Sequence, residues 1–152
     1  MSSIFVQTKG MDNVRKKMAK RGYKIKHPKK ANKAAALMIF NWIQRNFQRE
    51  GGLHDKGTLK WAPLSDRTIK QRRGKGKGAK ILQDTGALKG RWDRKANDKY
   101  GAVISRTPYA AQHEYGFRPK HIPQRKILPT IKQGEKIATP VYIKAVKEWM
   151  KA

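Results

Sequence analysis

The chain has 152 residues, and 37 Lys and Arg against 10 Asp and Glu give it a formal net charge of +27. It contains no cysteine, which excludes disulfides, thiolate metal sites and cysteine nucleophiles. We expect no membrane span because no run of 18 apolar residues is present, and no secretory signal because the first residues lack a basic region followed by a long apolar one. The length predicts a single domain over residues 1–152.

The content of large aliphatic residues is low for a folded protein. Ile, Leu, Val and Phe make up 28 of the 152 residues, below the roughly 20% that is typical of disordered chains with high net charge. The apolar residues are clustered, however, and four Trp and five Tyr add large side chains that can be buried. We therefore predict a folded domain in which the basic segment 9–33 and the Gly/Lys loop 74–80 are mobile.

The first third of the chain predicts a strand and two helices. Residues 4–6 favour a short strand, and apolar residues spaced from Met11 to Met18 predict an amphipathic helix that ends at Gly22. Pro28 separates that helix from the next one.

The strongest element is the apolar run 34–40, which Trp42, Ile43 and Phe47 continue. A helix this apolar around its circumference is buried on more than one side, and Gly51 and Gly52 are expected to end it. One flank could also serve as an oligomer interface. Residues 53–64 are predicted to form a loop.

A short helix and a basic loop follow. Ser65 is a plausible N-cap for a helix over residues 66–73, and Asp66 is favourable in its first turn. The stretch 67–80 contains seven basic residues and no acid. Its Gly/Lys loop lacks the Ser or Thr that follows Gly-Lys in nucleotide-binding phosphate loops, which argues against nucleotide hydrolysis.

The second half predicts short strands followed by a helix. We expect strands within 81–92 and at 100–105, a helical turn at 109–115, and an extended connector over 117–130.

The last predicted helix has Thr139 as its cap and Pro140 at its first position. Its buried stripe is expected to comprise Tyr142, Ala145, Val146 and Trp149. Together these elements indicate an α+β fold in which the long helix and the C-terminal helix pack on a small, mostly antiparallel sheet.

Catalytic and metal-binding patterns are absent from the sequence. His113 has the most suggestive surroundings, but the neighbouring Glu114 does not face it on a helix, and no nucleophile or activated water is evident. A histidine in a partly buried, hydrogen-bonded position is the simpler interpretation, and a small hydrolase that uses His113 is the weakest alternative. No paired-histidine motif or carboxylate cluster suggests a metal site. We predict no catalytic residue and no cofactor.

The positive charge is the main functional signal in the composition. A net +27 attracts polyanions, and phosphate contacts require only Lys and Arg without special geometry. A sequence-independent nucleic-acid-binding module is therefore one candidate function, and contact with an acidic protein surface satisfies the same charge. The candidate polyanion contacts are Arg72, Arg73, Lys75, Lys77, Lys80, Arg118 and Lys120.

Four short stretches carry a family resemblance. They are residues 61–68, which contain Trp-Ala-Pro-Leu-Ser; residues 81–88, which contain Asp-Thr-Gly; residues 109–116; and residues 122–125. In this order they resemble the virion morphogenesis or tail completion proteins of Mu-like tailed phages. The chain departs from that pattern after the fourth stretch and after the second. The matching residues are Trp61, Pro63, Leu64, Ser65, Asp84, Thr85, Gly86, Tyr109, His113, Gly116, Pro123 and Arg125.

The chemistry of these stretches is structural. Asp84-Thr85-Gly86 is a turn sequence, and Trp61 is expected to pack in a loop before a capped helix. Ile122-Pro123 favours an extended segment from which Arg125 points a forked donor outward.

The resemblance implies a structural virion protein of the head–tail interface that acts as a ring, commonly six-fold. Its implied partners are the head connector or adaptor and the tail terminator or tube proteins, with non-specific contact to channel DNA and no membrane. The implied location is the neck or tail of the virion, reached by assembly in the host cytoplasm. The sequence leaves open which of these partners binds directly.

Overall fold

The computed structural model describes residues 4–8, 16–20, 28–54, 57–76 and 78–151. Strand β1, Phe5–Thr8, confirms the strand predicted near the N-terminus. Residues 16–19 are helical, and we label this turn α1. The start of the helix predicted from Met11, and its end at Gly22, lie outside the described residues.

The long helix α2 spans Pro28–Arg49. Pro28 occupies its first turn, where a missing N–H costs no hydrogen bond. Residues 28–33 of the basic segment are therefore helical. The helix contacts the sheet and the C-terminal helix, so the prediction of burial on more than one side is confirmed. Leu37 and Met38 remain about 40% exposed.

The prediction of a loop over residues 53–64 is wrong for residues 53, 54 and 57–60, which belong to strands. Helix α2 ends at Arg49 and is followed by Glu50, whose φ is 53°, and by a hairpin. Strands β2, Gly51–His54, and β3, Gly57–Lys60, pair in antiparallel register. Gly52 is needed for packing rather than for a helix stop, since an added Cβ would lie 3.0 Å from Asn46 Nδ2.

The next elements confirm one prediction and correct another. Helix α3, Asp66–Gly74, follows its predicted cap, Ser65. The strand predicted within residues 81–92 forms only at its end. Leu82 and Gly86 have positive φ values of 57° and 73°, which break extended structure. The chain then forms a single turn, α4, over Ala87–Gly90, and strand β4 over Trp92–Ala96.

A three-stranded antiparallel sheet forms the centre of the fold. Strand β5, Gly101–Ser105, lies between β1 and β4, and its fully buried Val103 is opposite both Val6 and Arg94. Helix α5, Ala110–Tyr115, ends at Gly116 as predicted. The connector that follows contains a short 3-10 turn, Arg118–Lys120.

The C-terminal helix α6 spans Ile131–Lys151, so the start predicted at Thr139 and Pro140 is wrong. The true start is a capping box. Thr130 Oγ1 accepts from Gln133 N–H at 3.3 Å, and Gln133 Oε1 accepts from Thr130 N–H at 3.0 Å. Pro140 lies inside the helix, where its missing N–H leaves one exposed turn without a backbone hydrogen bond.

Two apolar clusters hold these elements together. The larger one lies between α2 and the sheet and includes Ile39, Phe47 and Val103. The smaller one joins α2 to α6 through Ala35 and Tyr142, with predicted stripe residues Ala145 and Trp149 packed against it. The α+β prediction is confirmed. Within the described ranges, no helix is long and apolar enough to cross a membrane.

The close approach at Gly52 gives a testable consequence. Gly52→Ala should lower the free energy of unfolding by about 1–3 kcal/mol because the new methyl group displaces Asn46, which donates to Ile127 O at 3.3 Å. Denaturant unfolding measures the change. Gly90→Ala is the control, since nothing lies within 4 Å of its added Cβ, and it should change stability by less than about 0.5 kcal/mol. Equal effects of the two substitutions would contradict this account.

Candidate functional site

The four motif stretches meet around one cleft of about 930 Å³. It is enclosed by α3 and the residues before it, by the turn at 82–85 with α4, by α5, and by the connector 120–125. We call it the motif cleft. Its lining comprises Pro63, Leu64, Ser65, Arg67, Thr68, Arg72, Leu82, Asp84, Thr85, Leu88, Tyr109, His113, Lys120, His121, Ile122, Pro123 and Arg125.

Arg125 ties three of the stretches together. Its Nε donates to Ala62 O at 2.9 Å and an Nη to Pro63 O at 3.0 Å, while its backbone N–H donates to His113 O at 2.7 Å. The residue is 6% exposed. The prediction that it points outward is therefore wrong, because two carbonyl oxygens that precede α3 attract the guanidinium inward.

Glu114 anchors the connector from the other side of α5. Its Oε2 accepts from the N–H groups of Ile127 at 2.6 Å and Leu128 at 3.0 Å, and the side chain is buried. Burial raises the pKa of Glu114, although these two backbone donors act in the opposite direction. Only the tertiary contact reveals this role, since a lone Glu next to His113 carries no sequence signal for it.

His113 lies in the wall of the cleft and is half-buried. Its ring meets Tyr109 edge-on, with centroids 6.0 Å apart. Its Nδ1 is buried and has no hydrogen-bond partner within the described part of the chain, so the hydrogen-bonded position that we predicted is not observed. Burial and the Arg125 cation lower the pKa of His113, which makes the neutral imidazole the dominant form at neutral pH.

The second stretch forms the turn predicted for it. Thr85 Oγ1 accepts from Ala87 N–H at 3.3 Å, and Gly86 adopts its positive φ of 73°. Asp84 faces Arg72 across the cleft, with 3.7 Å between Asp84 Oδ1 and Arg72 Nε.

Three motif residues support the cleft from outside its lining. Trp61 is buried, meets Phe47 edge-on, and donates to Lys126 O at 2.8 Å. Gly86 turns the chain. Gly116 has a φ of 77° and lies so close to the connector that an added Cβ would be 3.2 Å from Gln124 N.

The predicted polyanion contacts divide into two groups. Arg72 and Lys120 line the motif cleft. Lys77 lies outside the described residues. Arg67, which was not among the predicted contacts, adds a further cation to the cleft. The exposed residues outside the cleft are Arg73, Lys75, Lys80 and Arg118.

The cleft does not bring together a catalytic set. The hydroxyls of Ser65 and Thr68 bond to each other at 2.9 Å, and within the described ranges neither hydroxyl bonds to His113. No group of three possible metal ligands occurs among those residues either. The arrangement fixes a concave, cationic surface, and the prediction that the protein is not an enzyme stays a prediction.

Residues 41–147 match the phage virion morphogenesis family. The chain belongs to this family. The match covers more than half of the chain and contains all four motif stretches, so the resemblance seen in the sequence is confirmed. Over 110 residues this virion morphogenesis protein is also 32% identical to an uncharacterized protein of Methanocaldococcus jannaschii, covering 69% of this chain and 76% of that protein. No solved structure matches it.

Membership assigns the protein a structural or assembly role in phage virions. That role agrees with the bonding in the motif cleft, where Arg125, Arg72 and Thr85 bond to backbone groups of the same chain.

The Arg125 contacts predict a specific loss of stability. Arg125→Lys should lower the free energy of unfolding by about 1–3 kcal/mol, because an ammonium group cannot satisfy both carbonyl oxygens in the geometry of the planar fork. Urea unfolding measures the loss. Arg118→Lys, on the exposed 3-10 turn, should leave stability almost unchanged, and similar losses for the two variants would disprove the bidentate role.

The buried imidazole predicts a pH dependence. Since the folded pKa of His113 lies below the usual 6.5, the unfolded chain binds the proton more tightly. The stability contributed by this group is complete above that value and is lost as the pH falls through the folded pKa. The free energy of unfolding of the parent, compared with that of His113→Gln, should therefore decrease from about pH 7.5 to about pH 5.5.

The comparison with His113→Gln is needed because Glu114 has the opposite sign. Because the pKa of Glu114 is raised in the folded protein, this carboxyl stabilises the fold at pH values below its ordinary pKa, and the stabilisation is lost as the pH rises. A parent and a His113→Gln variant with parallel pH profiles would contradict the assignment.

Proposed function

We propose that the protein is a structural subunit of the head–tail interface of a phage virion and that it acts there as a ring. The observation that carries this proposal is the convergence of the four motif stretches on one concave surface stabilised by Arg125 and Glu114. A surface that is built by internal bonds and lined with cations is suited to docking against another molecule.

A second surface supports the ring. An apolar groove of about 660 Å³ lies between β1, the end of α5 and the start of α6. Phe5, Tyr115 and Ile131 line it and are 59%, 71% and 84% exposed, which is unusual for large apolar side chains on so charged a chain. Subunits of a ring contact one another through two different surfaces, and the apolar groove is suited to be one of them.

Helix α5 separates these two surfaces. His113 lines the motif cleft, whereas Glu114 and Tyr115 line the apolar groove. We assign the apolar groove to contact between subunits. We assign the motif cleft to the neighbouring head connector, adaptor, tail terminator or tube protein.

The charge requires an anionic neighbour. Six copies would bring together six times the +27 formal charge of one chain, and like charges at that density repel unless a polyanion is close. Helix α3 has no buried residue, so its exposed cations, such as Arg73, can face channel DNA or acidic protein. Assembly in the host cytoplasm and a final position in the neck or tail complete the proposal.

The same basic helix favours one alternative, a sequence-independent nucleic-acid-binding module. Such a protein would shift any duplex in a gel with a steep dependence on salt, and it would not have a defined place in the virion. Cryo-electron microscopy of virions that contain the protein separates the two functions, since the head–tail interface proposal requires density for the subunit at the neck.

The apolar groove gives a sharper test of the ring. A Tyr115→Ser/Ile131→Ser double variant should leave the fold intact because both side chains are mostly exposed, yet it should reduce the yield of joined, infectious particles by about tenfold or more. Complementation of a virus that lacks the gene measures this yield.

Ile143→Ser is the matched control for that variant. Ile143 is 49% exposed on α6 and lies outside the groove lining, so particle yield should remain normal. Normal assembly by the double variant would contradict the assignment of the groove to the subunit interface.

A further inference from the structure

We propose that the motif cleft binds an acidic segment of a partner protein, in which carboxylate side chains alternate with apolar ones. This inference rests on the proposed role as a docking subunit, and it adds the chemistry of the partner. It commits to protein rather than nucleic acid as the occupant.

The floor of the cleft is apolar. Leu88 and Leu82 are 2% and 8% exposed, and Ile122 and Leu64 are half-buried around them. The rim adds Pro63 and Pro123. A ligand that fills this space therefore gains stability by burying apolar side chains of its own.

The charged groups around this floor are mostly positive. The lining contains one carboxylate, that of Asp84, and four basic side chains, those of Arg67, Arg72, Lys120 and Arg125. Arg125 is committed to backbone carbonyls, and Arg72 donates to Lys80 O at 2.7 Å. Within the part of the chain that is described, Arg67 and Lys120 have no ion pair. They are therefore the cations available to an incoming carboxylate.

His113 supplies a further unused polar group. Its Nδ1 is without a partner among the described residues, although His113 lies in the wall of the cleft. A neutral imidazole can either donate or accept at this nitrogen. Because this nitrogen is buried in the free protein, a bound segment would bond to it only after the imidazole ring turns toward the cleft.

The shape of the cleft argues against nucleic acid as the occupant. Single strands bind where bases stack on exposed aromatic faces, but two of the three aromatic rings in this lining, those of Tyr109 and His113, meet edge-on. Phosphates alone would leave the apolar floor without a partner. A duplex would contact cations on the outer surface of an exposed helix such as α3 more readily than it would enter a cleft of about 930 Å³.

A peptide-binding experiment tests the proposal on the purified full-length protein. The probes are two fluorescein-labelled synthetic peptides, one of alternating Leu and Glu and the other of alternating Leu and Gln. Fluorescence anisotropy should show that the Leu-Glu peptide binds about tenfold more tightly or better. NMR should show the imidazole signals of His113 shifting on addition of that peptide.

Two charge-reversal variants locate the binding. Arg67→Glu/Lys120→Glu changes two exposed residues of the cleft and should weaken binding of the Leu-Glu peptide by about tenfold or more. Lys144→Glu/Lys147→Glu makes the same change in charge on the exposed face of α6, away from the cleft, and should leave most of the affinity. Thermal unfolding checks that both variants remain folded.

Several results would overturn the proposal. They are equal affinity for the two peptides, equal weakening by the two double variants, or no shift of the His113 signals. An oligothymidine that competes for the cleft and loses affinity only in the cleft variant would identify nucleic acid instead. Self-association abolished only by the cleft variant would identify a second copy. These measurements use the purified protein without the virion. A negative result would therefore not contradict the proposed location at the neck, which microscopy tests separately.

Discussion

The buried guanidinium of Arg125 is the interaction on which the motif cleft depends. It reaches the carbonyl oxygens of Ala62 and Pro63, immediately before α3, while its backbone is bonded to His113 on α5. Helix α3 has no buried residue of its own, so it contributes little apolar surface to hold itself in place. Arg125 therefore positions the helix that carries Arg67 and Arg72, two of the cations of the cleft. The cost of burying this charge is offset because both acceptors are held rigidly by the backbone.

Several of the acidic side chains in the described part of the chain bond to other groups of the fold. Glu114 accepts from two backbone N–H groups of the connector, and Glu50 Oε1 accepts from Ile81 N–H at 2.6 Å. Asp98 accepts from Lys29 N–H, and Asp93 pairs with Arg106. These acids stabilise loops and strand ends, and of the four only Asp93 is paired with a basic side chain within the described ranges. The excess of Lys and Arg consequently faces outward, where an anionic neighbour in the proposed assembly would compensate it.

Helix α5 connects this internal bonding to the two surfaces of the proposed function. It has only six residues, yet one side of it faces the cationic cleft and the other faces the apolar groove. Two buried charged residues hold this helix in place. Glu114, on α5, bonds to the connector. Arg125, on the connector, bonds to α5 through its backbone and to the residues before α3 through its side chain. A short helix held from both sides can present two different chemistries to two neighbours, which a subunit that links successive layers of an assembly requires.

Much of the local structure could be predicted because its causes lie within a few residues. The apolar run in α2, the Ser65 cap, the alternation in β5 and the turn at Gly86 are all recognisable from neighbouring positions. The capping box of Thr130 and Gln133 was equally local and could have placed the start of α6. Pro140 was the more conspicuous signal, but the capping box and contact with α2 stabilise the helix despite it. The order of the four stretches indicated the family correctly.

The site itself depended on contacts between distant segments. Arg125 turns inward because of carbonyl oxygens more than 60 positions earlier, and Glu114 is buried because the backbone of Ile127 and Leu128 returns to meet it. Position 52 requires a glycine because Asn46 leaves no room for a side chain. Hydrogen bonds of this kind have no periodicity along the chain. The sequence thus determined the helices, the central strand, the charge and the family, whereas only the tertiary structure decided which cations line a cleft and which are committed to the backbone.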